Sequence, residues 1–265
     1  MDDLVIDDIA LGGGGDWALV TDGVMGGLSG GRLERRDVAG RSALRLSGAV
    51  SLANNGGFIQ TAVPFARRGY AVNGLDLNPN AVDFCNARFA RHGLPQSVFV
   101  ADMSDFKLKR PFDIAFNTIN SFRHVASEAA ARDHLRCMAD ASPSGAIYLL
   151  GIHLTPTSVP PSETESWSAR RGHLAINTHM WFKSRDTRKR VERFGIRFDV
   201  HTPSRQFRIN DELVLRSYTA PQMNRLLASV PDWEVVGTYD FGYDMDGPIE
   251  VDSSTEDVVY VLRRR

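Results

Sequence analysis

The chain has 265 residues, 43% of them hydrophobic and 24% charged, with a formal net charge of −1 at pH 7. That length holds one large domain or two small ones with a sizeable core, and the balanced charge sets up no field to draw nucleic acid or an anionic membrane. Two cysteines in helix-like segments fit reduced thiols better than a disulfide framework or a zinc site. The acidic start shows no secretory pattern and no apolar run is long enough to span a bilayer, so a cytoplasmic protein is expected.

Residues 1–62 are rich in glycine. Gly12 to Gly15 form a flexible run, and Asp22–Gly23, Gly26–Gly27 and Gly30–Gly31 mark turns. The short alternating runs Trp17–Val20 and Ala43–Leu46 predict antiparallel β-structure. Four groups stand out: Trp17, Asp22 to Ser29, Ser47 to Leu52, and Asn54 to Phe58. Together they resemble the opening of the complex I intermediate-associated protein family, which implies the start of a galactose-binding-like β-sandwich. The likeness stops near Thr61. Half a sandwich leaves unpaired edges and an uncovered apolar face. The fragment is then either a remnant sugar-like or protein-binding module or a fused piece with no retained activity.

From Val63 the pattern changes. Gly69, after the basic Arg67 and Arg68, reads as the glycine that ends a helix. A short strand follows and ends in Asp76. An acidic side chain at the carboxyl end of a strand in an open α/β sheet can accept from both hydroxyls of a ribose. Asn78–Pro79 starts a helix with Val82 and Phe89 on its buried side and Asp83, Asn86 and Arg91 on its exposed side. His92 to Pro95 ends it. The strand Ser97–Ala101 delivers Asp102–Met103, and the strand Phe112–Phe116 delivers Asn117. The polar loop 117–124 contains His124, whose ordinary pKa suits a general base and which serves equally well at a helix start. An amphipathic helix runs from Ser127 to Met138 with Leu135 and Met138 inward. Ala146–Ile152 is continuously apolar, as a buried parallel strand is.

Thr155 to Ser162 reads as a loop leaving the sheet. Residues 175–182, 191–200 and 206–209 then alternate as a β-meander, with Arg185, Arg188, Lys189 and Arg190 at a hairpin tip. This basic group lacks the aromatic interleaving of a nucleic-acid face. Thr219 and Gln222 fit a capping box with Pro221 in the first turn. The helix that follows leads to strands 233–241 and 257–262, joined by a loop that places Tyr239 and Tyr243 as candidate substrate contacts.

The order of elements from residue 63 resembles a class I S-adenosylmethionine (SAM)-dependent methyltransferase without its first strand and glycine loop. The resemblance implies an α/β, Rossmann-like sheet over 63–265 with a β-meander insertion at about 155–217, preceded by the β-rich fragment 1–62. It implies SAM as cofactor and a small-molecule substrate. Asp76 with Leu77 would meet the ribose, Asp102 with Met103 the adenine, and Asn117 the methionine part. His124, Tyr239 and Tyr243 would meet the substrate. A bare central position would expose two ladders of backbone groups, so residues 43–53 are expected to fill it. Asn54, Asn55, Gly56 and Gly57 would then stand in for the glycine turn, where a Cβ would block the cofactor. Three functions fit: a methyltransferase, a catalytically inactive methyltransferase-like binding protein, or an assembly protein whose N-terminal segment carries the role.

Overall fold

The structure is a computed structural model that describes Leu4–Val5, Gly30–Val38, Arg41–Ala49, Val63 and residues 65–265 apart from 119, 161–163, 243 and 245. The chain divides into two compact units, Met1–Gly74 with Asn80–Val98, and Leu75–Pro79 with Phe99–Arg265.

In the first unit, strands β1 (Leu4–Val5), β2 (Gly30–Val38) and β3 (Arg41–Ala49) form an antiparallel sheet in the order β1–β3–β2. Leu46 pairs with Leu4 on one edge and Leu33 on the other, and Arg45 pairs with Val5 and Glu34. A strand has two edges, and β3 uses both there. This corrects the expectation that residues 43–53 fill the central position of the methyltransferase-like sheet: up to Ala49 they belong to a sheet of their own. Residues 50–62 lie outside the described residues. Helix α1 (Pro79–Arg91) buries Val82 and Phe89 against Val63 and Val98. Asn86, expected on its exposed side, is half-buried. Its amide pairs with both backbone groups of Val98, Nδ2 to the carbonyl at 2.8 Å and Oδ1 from the N–H at 3.1 Å. A strand edge needs such partners, and one amide supplies both.

Strand β4 (Gly74–Asp76) pairs with β5 (Val98–Val100) in a two-stranded sheet. In the second unit, β6 (Ile114–Asn117) and β7 (Ile147–His153) run parallel, and β13 (Asp257–Arg264) lies antiparallel between β7 and β12 (Trp233–Tyr239). The order is β12–β13–β7–β6, with the reversed last hairpin that the sequence predicts. Among the described residues β6 has a strand on one side only, and Ile114 on it is 63% exposed. Helices α2 (Glu128–Asp140) and α3 (Ala220–Ala228) pack on this sheet. Ser127 caps α2 by accepting from the Ala130 N–H at 3.0 Å, and Gln222 accepts from the Thr219 N–H at 3.0 Å in the expected capping box. Leu135 and Met223 from these helices meet Leu150, Val258 and Leu262 of the strands in one buried core.

The insertion is a four-stranded antiparallel sheet of β8 (Thr164–Arg171), β9 (Leu174–Asp186), β10 (Val191–His201) and β11 (Gln206–Arg216), in chain order. Only three of these strands are legible from alternation, because β8 carries a single large apolar residue, Trp167. One buried ion pair fastens the sheet to the core. Glu192 of β10 is 2% exposed and accepts from Arg123, from Arg185 Nε at 2.5 Å and from Thr155 Oγ1 at 2.9 Å. Arg123, in the 3-10 turn Ser121–His124, also donates to the Arg216 carbonyl at 2.8 Å. Removing one partner of such a pair leaves the other charge buried alone. Glu192→Ala is therefore expected to cost roughly 3–5 kcal/mol, read as a lower urea midpoint. A loss under about 1 kcal/mol, the worth of an exposed pair, would show that the insertion is fastened elsewhere.

Candidate active site

Polar residues stand at or just beyond the carboxyl ends of β4, β5, β6 and β7: Asp76, Asp102, Asn117 and His153. Asp76 is exposed. Its Oδ1 accepts from the Asn78 N–H at 2.8 Å, which sets the turn into α1 and leaves Oδ2 for a ligand hydroxyl. The Asp76 carbonyl accepts from the Ala101 N–H at 3.1 Å, so Asp102 follows one residue on. Asp102 Oδ1 accepts from Ser104 N–H at 2.8 Å and Ser104 Oγ at 2.7 Å, and these bonds hold its carboxyl below the usual carboxylate range. Asp102 is thus an ionised acceptor. Met103 is half-buried against the core, and Leu77, beside Asp76, is 70% exposed.

Behind this edge runs a buried polar chain. His134 of α2 places Nδ1 2.8 Å from the Met103 carbonyl and Nε2 2.7 Å from the Tyr148 hydroxyl of β7. A carbonyl only accepts, so Nδ1 carries the proton and Nε2 accepts from Tyr148. Asn117, the last residue of β6, lies close enough to the Tyr148 hydroxyl to oppose in part the effect of burial on its pKa. Burial lowers the His134 pKa to about 4, only partly offset by the Met103 bond, and burial raises that of Tyr148. Both are neutral. Cys137, one turn on from His134, donates to the Ser104 carbonyl at 3.4 Å.

The loop after β6 lies hard against β7. Asn120, at φ 60°, donates its N–H to the Gly151 carbonyl at 3.3 Å, and its side-chain oxygen accepts from the His153 N–H at 3.1 Å. A Cβ at Gly151 would collide with the Thr118 carbonyl. His153 ends β7, and its Nδ1 bonds Asp257 at the start of β13. The carboxylate fixes the proton on Nδ1 and leaves the Nε2 lone pair free to take a proton. The imidazole stands edge-on to Phe241, with ring centroids 4.9 Å apart. His153 lines a cavity of about 40 Å³ together with Asn120, Glu165, Phe182, Arg185 and Glu256, so the insertion sheet forms one of its walls.

The structure therefore brings together Asp76, Leu77, Asp102, Met103 and Asn117. His124 is exposed and lines neither this cavity nor a second, larger one. Partial desolvation and the Arg123 charge hold its imidazole below the ordinary histidine value. Tyr239 is on β12, the edge strand, paired with Val259, and lines neither cavity. Asn55, Gly56, Gly57 and Tyr243 lie outside the described residues. His134, His153 and Asp257 are the site residues that sequence reading missed. His153 directly follows a strand whose uninterrupted apolar run ends at Ile152, and that position was the signal that could have found it.

Comparison with known proteins agrees with this layout. Residues 13–78 match the family model of Complex I intermediate-associated protein 30, and residues 56–142 match that of the Methyltransferase domain. No curated protein sequence matches the chain. Among solved structures, a SAM-dependent methyltransferase from Clostridium acetobutylicum is similar at TM-score 0.62 and 13% identity, over 77% of this chain and 79% of that one. CalS10 from Micromonospora echinaspora, an amino pentose methyltransferase solved with SAM bound, gives 0.56 and 17%, over 75% and 76%. The sugar N-methyltransferase KedS8 from Streptoalloteichus gives 0.53 and 19%, over 73% and 71%. The fold is that of the class I SAM-dependent methyltransferases, with an N-terminal segment like Complex I intermediate-associated protein 30.

The low pKa of His134 makes stability depend on pH in a stated direction. Between its ordinary 6.5 and about 4, the unfolded chain binds a proton that the folded chain refuses. The contribution is intact above about pH 6.5 and falls away toward pH 4, by roughly 3 kcal/mol in all. Denaturant midpoints measured across that window should show the decline. His134→Gln should flatten it, and an unchanged slope in the variant would assign the effect to other groups.

Proposed function

We propose that the protein binds SAM and transfers its methyl group to a small-molecule acceptor. The observation that carries this reading is the row of polar residues at or just beyond the carboxyl ends of β4 to β7, Asp76, Asp102, Asn117 and His153, in a fold like that of the class I methyltransferases. The available acceptors suit the cofactor's parts. Asp76 offers a carboxylate oxygen to the ribose hydroxyls. Asp102, held ionised by Ser104, offers one to the adenine amino group, and Met103 offers a soft apolar contact to the ring.

SAM, when bound, supplies an electrophilic methyl group on a sulfonium. The chain's own part is to orient the acceptor and receive its proton. His153 Nε2 takes that proton, and Asp257 holds the tautomer that lets it do so. The insertion sheet forms one wall of the cavity. Amino-bearing sugars, the kind of compound named for CalS10 and KedS8, are the first acceptors to test.

Calorimetric titration of SAM into the full chain tests the reading. Saturable binding is expected, weakened tenfold or more in Asp76→Ala, in line with about 1.5–3 kcal/mol for a hydrogen bond to a charged group. His153→Gln should leave that titration unchanged. It should slow release of S-adenosylhomocysteine with any accepted amine by roughly 100-fold. Folded protein that does not bind SAM would overturn the proposal in favour of an inactive, methyltransferase-like binding protein.

A further inference from the structure

Four arginines crowd the junction between the insertion and the core, and two carboxylates answer them. Arg123 and Arg185 share Glu192, while Arg190 and Arg216 share Glu128 through Oε2 at 2.6 and 3.1 Å. All four guanidinium side chains are at most 22% exposed. Their remaining contacts are to neutral groups. Arg190 Nε donates to the Ser217 carbonyl at 3.3 Å, and the Arg190 guanidinium lies 4.8 Å from the Tyr218 ring centroid. Among the described residues, the buried Arg190 Nη2 and Arg216 Nε have no acceptor at all. Ring faces and carbonyls soften the charge but do not cancel it.

This excess positive charge opens onto a crevice of about 380 Å³. Among the described residues its wall contains Arg185 and Arg190, the hydroxyl residues Thr155, Thr157, Thr187, Ser217 and Thr219, and no carboxylate side chain. Glu165 and Glu256 line the smaller His153 cavity instead. The rim adds Arg188 and Lys189, against Asp186, which pairs with Lys189 at 3.9 Å. A wall of guanidinium and hydroxyl donors matches a phosphate or carboxylate group.

We infer that this crevice binds an oxyanion, a phosphoryl or carboxylate group of a small molecule, through Arg185, Arg190 and the threonine hydroxyls. Arg185 lines both the crevice and the His153 cavity. With that residue shared, a group held in the crevice would be the far end of a molecule whose reacting end reaches His153. That last identity rests on the methyl-transfer reading, whereas the anion site itself does not.

The test uses the full chain without SAM, so that its outcome is independent of the cofactor titration. Inorganic phosphate and succinate are titrated separately by calorimetry at constant ionic strength. Saturable binding of at least one is expected. Phosphate alone would identify a phosphoryl ligand and succinate alone a carboxylate. Arg185→Gln should weaken binding at least tenfold. Thr187→Asp places a carboxylate on the exposed hairpin tip, away from the core, and should do the same in a protein of unchanged thermal midpoint. No saturable binding of either anion, or binding that Thr187→Asp leaves intact, would overturn the inference.

Discussion

The site depends on a histidine that is not allowed to ionise. His134 is fully enclosed, and its two nitrogens meet a carbonyl on one side and a hydroxyl on the other. Because the carbonyl can only accept, every proton in the chain from Met103 through His134 to Tyr148 has one place to be. That order fixes three elements together: the loop after β5, helix α2 and strand β7. A charged imidazole would have to donate from both nitrogens, and Tyr148 would then have to turn its own proton elsewhere. Desolvation makes that form costly, so the neutral arrangement is the one that holds Met103 and Asp102 beside Asp76.

A second buried polar group, of opposite kind, holds the insertion. Glu192 is charged and nearly inaccessible, and it is tolerable only because two guanidiniums and a hydroxyl surround it. The two groups divide the work. The neutral chain shapes the cofactor edge from behind, where a net charge would perturb the nearby carboxylates. The ionic group sits under the insertion, where directional bonds across a long chain separation set the position of a whole sheet. Hydrophobic packing could bury as much area there, but it would not fix the register of β9 and β10 against the Ser121–His124 turn.

Much of this was legible in the sequence where the signal is local. Asp76, Asp102 and Asn117 are readable because each follows a short apolar run, and strand ends in open sheets gather at one edge. The capping box at Thr219 is readable because its partners are three residues apart. What could not be read is pairing at a distance. Arg123 and Glu192 are 69 residues apart and His153 and Asp257 104 apart, and nothing in either neighbourhood marks the partner. Asn86 misled for another reason: polarity suggested solvent, whereas an exposed strand edge required its amide. The central strand misled because filling a gap is a demand of the sheet, and residues 41–49 met a nearer demand by pairing with β1 and β2. The two family matches overlap over residues 56–78, so the join between the segments is not a sharp boundary in the sequence.

The two cavities differ in the sign of their charged lining residues, and that difference would orient the proposed ligand. The smaller one presents His153 with Glu165 and Glu256 in its wall, and the larger presents arginines and hydroxyls without an acid. A molecule with an amine at one end and an oxyanion at the other is complementary in one direction only. Reversed, it would set its anion against carboxylates and its amine against guanidiniums, each an unfavourable contact at low local dielectric. Glu165 belongs to the insertion and Glu256 to the segment leading into β13, so both ends of the choice depend on the insertion being seated. At about 40 Å³ the His153 cavity is much smaller than the crevice of about 380 Å³. Arg185, which lines both cavities and is tied to Glu192, is the residue that the two spaces share.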